Sequence, residues 1–290
     1  MHLEKRSPCK VHLLLNILGP RPDGFHELET VLHPVNLFDE IRCERGGSGI
    51  QLTCSEAALP VDSQNLVYRA AEAFVRATKV ADGVRIRLVK KIPLAAGLGG
   101  GSGNAATTLL ALNELFDAPL SIAALNELAA ALGSDVPFFL QTRPALATGR
   151  GEQIRPLDSF PALRGKAFLL IHPGFGIATA WAYQSLARFP AAQRGRSGRA
   201  EKLISLLQAG DWGAAAGEFY NSLEAPALEK FPVLKLYQEF LRAHGALATL
   251  MSGSGSTTFA VMEDVYVGRA LVEKFKARFG PNCWTAVVPV

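Results

Sequence analysis

The 290-residue sequence is poor in cysteine, and its four, Cys9, Cys43, Cys54 and Cys283, lie far apart with no C-x-x-C pair. Such usage excludes a disulfide scaffold and points to reduced thiols in the cytoplasm. No stretch approaches the ~20 apolar residues of a spanning helix, and the N-terminal His2-Leu3-Glu4-Lys5-Arg6 has no apolar centre of an export signal. Neither membrane insertion nor export is expected. An excess of one charge is also missing: 30 Lys and Arg against 26 Asp and Glu leave +4, too mild to argue for a nucleic-acid partner, although an anionic small ligand stays open. Glycine (27) and proline (17) follow no period, which excludes collagen-like and low-complexity chains. With 49% hydrophobic residues, the chain can bury the core of one large or two ordinary domains.

Apolar residues alternate at Val11, Leu13, Leu15 and Ile17, and after turn residues 19–24 the chain reads as extended again through Leu37. Val84, Ile86 and Leu88 alternate with Arg85 and Arg87, a half-buried strand. Next come Gly97, Gly99, Gly100, Gly101 and Gly103, followed by the helical stripe Ala105, Leu109, Leu112 and Phe116, so a strand feeds a glycine loop that opens a helix near Asn104. Ser121 is expected to cap a second helix, with Gly133 stopping it in a left-handed conformation. Turn residues gather between Gly149 and Gly165, which places a domain boundary there and predicts domains 1–158 and 159–290. Beyond it, helices are expected near Thr179 to Leu186, Ala200 to Leu207, Trp212 to Asn221, Ala227 to His244 and Tyr266 to Phe279. Strands are expected near Ala167 to Ile171, Ala246 to Met251, Thr257 to Val261 and Cys283 to Val288. The arginine-bearing stretch from Arg188 to Arg199 reads most simply as a mobile exposed loop, with steering of an anionic substrate as the lesser reading.

Glycines at Gly97 to Gly103 let backbone amides converge on a ligand, and the following helix adds its positive end, a combination suited to a polyphosphate. A tight strand-helix connection is the plainer alternative. G-x-x-x-x-G-K-[ST] and G-x-G-x-x-G are both absent, so neither a P-loop nor a dinucleotide fingerprint is present. Ser102 and Thr107 or Thr108 offer hydroxyls to phosphate or magnesium. A second small-residue loop, Met251-Ser252-Gly253-Ser254-Gly255-Ser256, lies between strand candidates and could approach the first. Phosphoryl transfer needs a group that positions a hydroxyl and a cation that offsets charge; Asp135 and Lys10 are the candidates. Asp135, ahead of Val136-Pro137-Phe138-Phe139, could equally cap a helix, and Lys10 could be an edge lysine.

Together Ser7-Pro8-Cys9-Lys10, Pro93 to Thr107, Gly133-Ser134-Asp135-Val136-Pro137 and Ser252-Gly253-Ser254-Gly255 resemble the GHMP small-molecule kinase superfamily over most of the chain. Within it, Asp23-Gly24-Phe25-His26 and His172-Pro173-Gly174 look like the branch whose substrate carries a cytidine diphosphate and whose 2-hydroxyl is phosphorylated on the non-mevalonate route to isoprenoid precursors. The resemblance implies a two-domain α+β architecture, with a left-handed β-α-β unit in the N-terminal domain and a ferredoxin-like α/β sandwich in the C-terminal domain. It implies ATP, and Mg²⁺ bound through the nucleotide phosphates, with no metal held by protein ligands alone. Lys10 and Asp135 become the catalytic pair. Pro93, Leu94, Ala95, Ala96, Gly97, Leu98, Gly99, Gly100, Gly101, Ser102 and Gly103 become the ATP phosphate loop, and Asn65, Leu66 and Lys90 match the adenine pocket. Phe25 and Tyr183 match aromatics that stack on cytosine, His26 the residue that reads the base edge, and Thr179 a substrate contact.

Three positions depart from the family pattern. His12 stands where Asn is usual among the substrate contacts, Gly103 where a second Ser is usual, and Phe25 where Tyr is common. The expected protein is a monomer or weak homodimer without nucleic-acid or membrane partners. Two other readings fit the motifs: a GHMP kinase of the homoserine or mevalonate type, or a catalytically silent member that binds nucleotide.

Overall fold

The computed structural model describes residues 2–290 and divides them into two compact units. The first comprises residues 2–9, Leu37–Ile92 and Gly99–Thr142; the second comprises Lys10–Asn36, Pro93–Leu98 and Arg143–Val290. The expected cut between 158 and 159 falls inside the second unit. Strands β1 (His2–Pro20) and β2 (His26–Arg45) are long enough to run through both.

In the first unit, β3 (Ile50–Cys54) is followed by helix α1 (Leu66–Thr78) and strand β4 (Val84–Val89), and β3 lies parallel beside β4. This is a β-α-β unit, and β4 continues antiparallel to the end of β2, with Cys43 opposite Ile86. Arg85 and Arg87 point outward while Val84, Ile86 and Leu88 are buried, as the alternation predicts. Helix α2 (Gly100–Leu115) is buried almost all round, which explains its small residues, and it packs on α1. It begins at Gly100, a turn earlier than Asn104, because Gly99 at φ 69 turns the chain directly into the helix. Helix α3 (Ile122–Leu132) is capped by Ser121, whose side chain accepts from Ala124 N. Gly133 corrects an expectation: its φ of 167° and ψ of 155° are extended, not left-handed.

In the second unit, β5 (Ala145–Thr148) and β6 (Gln153–Pro156) form a hairpin on the start of β2, turned by Gly149 and Gly151 at positive φ. The turn residues that suggested a linker are therefore partly a hairpin loop. Then follow β7 (Ala167–His172), α4 (Thr179–Ser185), α5 (Pro190–Gln193), α6 (Arg199–Gln208), α7 (Trp212–Ala216), β8 (Tyr220–Asn221), α8 (Glu224–Lys230), α9 (Pro232–Ala243), β9 (Ala248–Met251), β10 (Thr258–Met262), α10 (Val265–Phe279) and β11 (Trp284–Pro289). A four-stranded antiparallel sheet in the order β11-β7-β10-β9 carries α9 and α10, which is the ferredoxin-like sandwich implied by the resemblance. Its two central strands, β7 and β10, are buried at every residue, and Phe168 meets Phe259 edge-on between them.

Two expected helices differ. The one near Trp212 to Asn221 stops at Ala216, because Tyr220 and Asn221 are drawn into parallel pairing with Leu14 and Leu15 of β1. The one near Ala227 to His244 is two helices: Pro232 lacks an N–H to continue α8 and instead opens α9. The arginine stretch also departs from its reading as a mobile loop. Asn16 Nδ2 donates to Arg196 O (2.7 Å), Gly195 N donates to Ile17 O (2.7 Å), and Glu29 accepts from Gly198 N (3.1 Å) and Ala200 N (3.2 Å). Glu29 thereby caps α6 from a distant strand, at a helix start with no cap of its own.

Candidate active site

Lys10 sits on β1 with only 2% of its surface exposed, so its ammonium must be satisfied within the protein. Its backbone N–H donates to Leu98 O (2.9 Å), its Nζ donates to Gly97 O (3.1 Å), and Nζ also meets His12 Nε2. Gly97 O accepts a second hydrogen bond from Ser252 Oγ (3.0 Å), and Thr257 N donates to Ala96 O (3.2 Å). The two small-residue loops therefore do approach each other, along Ala96 and Gly97. Gly97 is required there, since its φ is +74° and a Cβ would collide with the Ser252 carbonyl oxygen. Ala95 adopts a φ of 50° and packs on Gly176, where a Cβ would lie 2.6 Å from that of Ala95.

Behind Met251 to Ser256 stands a set of residues that sequence reasoning missed. Asn221 Nδ2 donates to the carbonyls of Met251 and Gly253 (both 2.7 Å), and Asn221 Oδ1 accepts from Leu223 N (2.9 Å). Glu224 accepts from Met251 N (2.7 Å) and Gln238 Nε2 (2.6 Å); burial pushes its carboxyl up, against the pull of those hydrogen bonds. No local signal marks Asn221, which the sequence reading places at the end of a helix near Trp212 to Asn221.

Elsewhere in the second unit the rings expected at a base site are present. His26 and Tyr183 pack together with centroids 5.2 Å apart at 45°. Burial pulls the His26 pKa down, which favours a neutral imidazole with one donor and one acceptor nitrogen. Phe25 is 48% exposed, with the Arg150 guanidinium 4.8 Å from its ring centroid. Thr179 opens α4, and its Oγ1 lies 2.9 Å from Ser254 Oγ in the second loop.

The first unit holds the rest. Gly99 to Gly103 form the start of α2, where unpaired helix N–H groups and the helix dipole favour an anion. A Cβ on Gly103 would collide with Pro8 O, which explains why no serine stands there. Thr108 Oγ1 donates to Asn104 O (2.8 Å) within α2, so that hydroxyl is committed to its own helix; Ser102 is the half-buried hydroxyl of the first turn. Lys90 forms a buried ion pair with Asp39 and also donates to Asn104 Oδ1 (3.1 Å). Asp39 Oδ1 accepts from Lys91 N (2.7 Å) and Ile92 N (2.9 Å), and Asn104 Nδ2 donates to Ser7 Oγ (2.9 Å). Asp39, a fully buried acid on β2, thus organises the start of α2. Asn65 is the N-cap of α1: it accepts from Val67 N (2.9 Å) and donates to Pro60 O (2.8 Å). Leu66 begins α1, and a Cβ on Gly101 would lie 3.6 Å from its Cδ1. Asp135 is half-buried in the turn between α3 and the 3₁₀ turn Pro137–Leu140. The N-cap of that turn is Val136, whose apolar side chain can accept no hydrogen bond.

Residues 65–143 match the N terminal domain of the GHMP kinases, and residues 190–281 match the GHMP kinases C terminal family. The chain belongs to the GHMP kinases. Among them it is similar to the 4-diphosphocytidyl-2-C-methyl-D-erythritol kinase of Synechococcus sp. (strain JA-3-3Ab), 42% identical over 260 residues that cover 88% of this chain and 83% of that one. The enzyme of that name from Syntrophotalea carbinolica is 36% identical over 98% of both chains. A crystal structure of 4-(cytidine 5'-diphospho)-2C-methyl-D-erythritol kinase superposes with a TM-score of 0.83 and 36% identity, covering 99% of this chain and 100% of that one. The homoserine kinase of Cytophaga hutchinsonii (TM-score 0.77, 21% identity) shares the fold, over 99% of this chain and 93% of that one.

Proposed function

We propose that the protein transfers the terminal phosphoryl group of ATP to the 2-hydroxyl of 4-diphosphocytidyl-2-C-methyl-D-erythritol, a step on the non-mevalonate route to isoprenoid precursors. The observation that carries this is the buried Lys10 ammonium, held on the Gly97 carbonyl of a glycine-rich phosphate loop in a chain 36% identical, end to end, to a kinase of that name. The ring pair of His26 and Tyr183, with Phe25, supports a cytosine site in which stacking contributes about 1–3 kcal/mol and a neutral histidine reads the base edge.

In this reading Pro93 to Gly103 and the start of α2 cradle the phosphates through backbone amides, and Lys90, Asn65 and Leu66 border the adenine side. Lys10 offsets negative charge on the transferring group, and Asp135 accepts or orients the proton of the substrate hydroxyl. A loose transition state asks little basicity of Asp135, so positioning is its main work. Among the described residues no group of three or more His, Cys, Asp or Glu is gathered to hold a metal alone. Mg²⁺ would be carried chiefly by the nucleotide phosphates, with the Ser102 hydroxyl as a protein donor in the first unit, and would neutralise phosphate charge there. Cys43, Cys54 and Cys283 are free thiols, which supports a cytoplasmic enzyme, and among the described residues no helix is long and apolar enough to cross a membrane.

The test is ADP release with Mg-ATP and 4-diphosphocytidyl-2-C-methyl-D-erythritol, beside an Asp135→Ala control. Turnover by the wild type is expected to fall by about 100-fold or more in the control, with ATP binding little changed. An Asp135→Ala protein with near-normal turnover would sink the assignment.

A further inference from the structure

His12 lies two positions after Lys10 on β1, and its surroundings fix the protonation pattern of the ring. Thr30 Oγ1 lies 2.5 Å from the Leu14 carbonyl oxygen, which can only accept, so the single hydroxyl proton of Thr30 is committed to Leu14. His12 Nδ1 lies 2.8 Å from the same Thr30 oxygen and must therefore be the donor, Nδ1–H. In the neutral ring this leaves a lone pair on Nε2, and Nε2 is the atom that meets Lys10 Nζ. All four residues lie in the second unit and are at least nine-tenths buried. The ring is wedged from the other side by the second loop: Gly253, at a φ of +57°, leaves room that a Cβ would close to 3.1 Å from Nε2.

We propose that His12 is a positioning residue for the Lys10 ammonium, presenting Nε2 as an acceptor because Thr30 and the Leu14 carbonyl hold it in the Nδ1–H tautomer. An ammonium carries three N–H bonds in tetrahedral array. Gly97 O fixes one direction and His12 Nε2 a second, and the two together fix the third. Lys10 thus presents its charge in one orientation instead of sweeping a cone, and orientation of this kind acts on the transition state more than on ground-state binding. Thr30 supplies the constraint that makes an ambivalent ring behave as an acceptor.

The inference rests on the kinase reading of Lys10, and two measurements on the full chain separate its failure from failure of that reading. Histidine-selective nitrogen NMR on the free protein reports the tautomer whether or not the protein is a kinase; Nδ1 protonated and Nε2 bare is expected, and the reverse pattern or an imidazolium at neutral pH overturns the proposal. Steady-state kinetics read the rest. His12→Ala is expected to lower kcat by about 10-fold or more with KM for both substrates nearly unchanged, His12→Asn to restore most of kcat, and Thr30→Val to shift the tautomer signal and lower kcat. If His12→Ala fails to fold, as its thermal melt would show, Thr30→Val and the wild-type spectrum decide. An active wild type with undiminished kcat in His12→Ala, or in a Thr30→Val protein whose tautomer has changed, overturns the positioning role. Absence of ADP release by the wild type would count against the kinase reading alone.

Discussion

At the scale of single residues, the site depends on groups whose freedom has been removed. Lys10 is buried, so its ammonium is directed by its acceptors, and Gly97 is confined by a carbonyl where its own Cβ would be. Gly103 is confined in the same way by Pro8 O, a backbone atom that cannot swing aside. Gly103→Ser is therefore expected to destabilise the protein by about 1–3 kcal/mol, the usual penalty of overpacking, seen as a lower urea midpoint with an unchanged slope. Phe25 is different, since about half of its surface is open and its ring lies under the Arg150 guanidinium. Phe25→Ala should leave the melting temperature nearly unchanged while raising KM for the cytidine substrate by about 10-fold, the scale of one lost base-ring stack. An unchanged KM would remove Phe25 from the cytosine site.

At the scale of elements, buried polar side chains fasten segments whose own sequence is permissive. Asp39 accepts the Lys90 ammonium and the N–H groups of Lys91 and Ile92 as the chain leaves β4 toward the glycine loop. Removing one partner of such a pair leaves the other charge buried, so Asp39→Ala should cost about 3–5 kcal/mol in denaturant unfolding. Glu29 does comparable work for α6, whose N-cap Gly198 has no side chain to offer. Glu29→Ala is expected to open the stretch from Arg188 to Arg199 to limited proteolysis, with a global loss of only about 1 kcal/mol. Equal protease resistance in wild type and variant would show that Glu29 does not hold the segment. These fastenings explain which elements were legible. Strong periodicity gave β4, α2, α3, β7 and α10 nearly in full, and Ser121 capped α3 as its chemistry required. Asn221 was lost because a two-residue strand has no period; only pairing with Leu14 and Leu15 makes it one.

At the scale of the whole molecule, stability should fall in mild acid, and His33 supplies the reason. Its ring is enclosed by Phe160 and Phe168, Nδ1 donates to Pro34 O, and burial pulls its pKa from 6.5 down to about 4. Between those values the unfolded chain binds a proton that the folded one does not, so unfolding is favoured as pH falls. The contribution is full above 6.5, declines below it and is gone under about 4, with a size on the order of 3 kcal/mol. Chemical denaturation across that range should show the loss, and His33→Phe should flatten it. A variant that keeps the full acid slope would place its origin elsewhere.

The sequence by itself determined the family, through motifs that resemble it, and most regular elements with the glycine-rich loop that opens α2, because glycine spacing, caps and hydrophobic period are local and act through the chain's own backbone. Only the tertiary structure decided what surrounds them: that Lys90 faces Asp39, that Asn65 caps α1, that the arginine stretch is pinned by Asn16 and Glu29, and that His12 meets Lys10 with Thr30 behind it. Those outcomes depend on which groups, distant in the chain, are buried together. A buried donor or acceptor must find whatever partner the fold brings within reach, and no spacing in the sequence announces that partner.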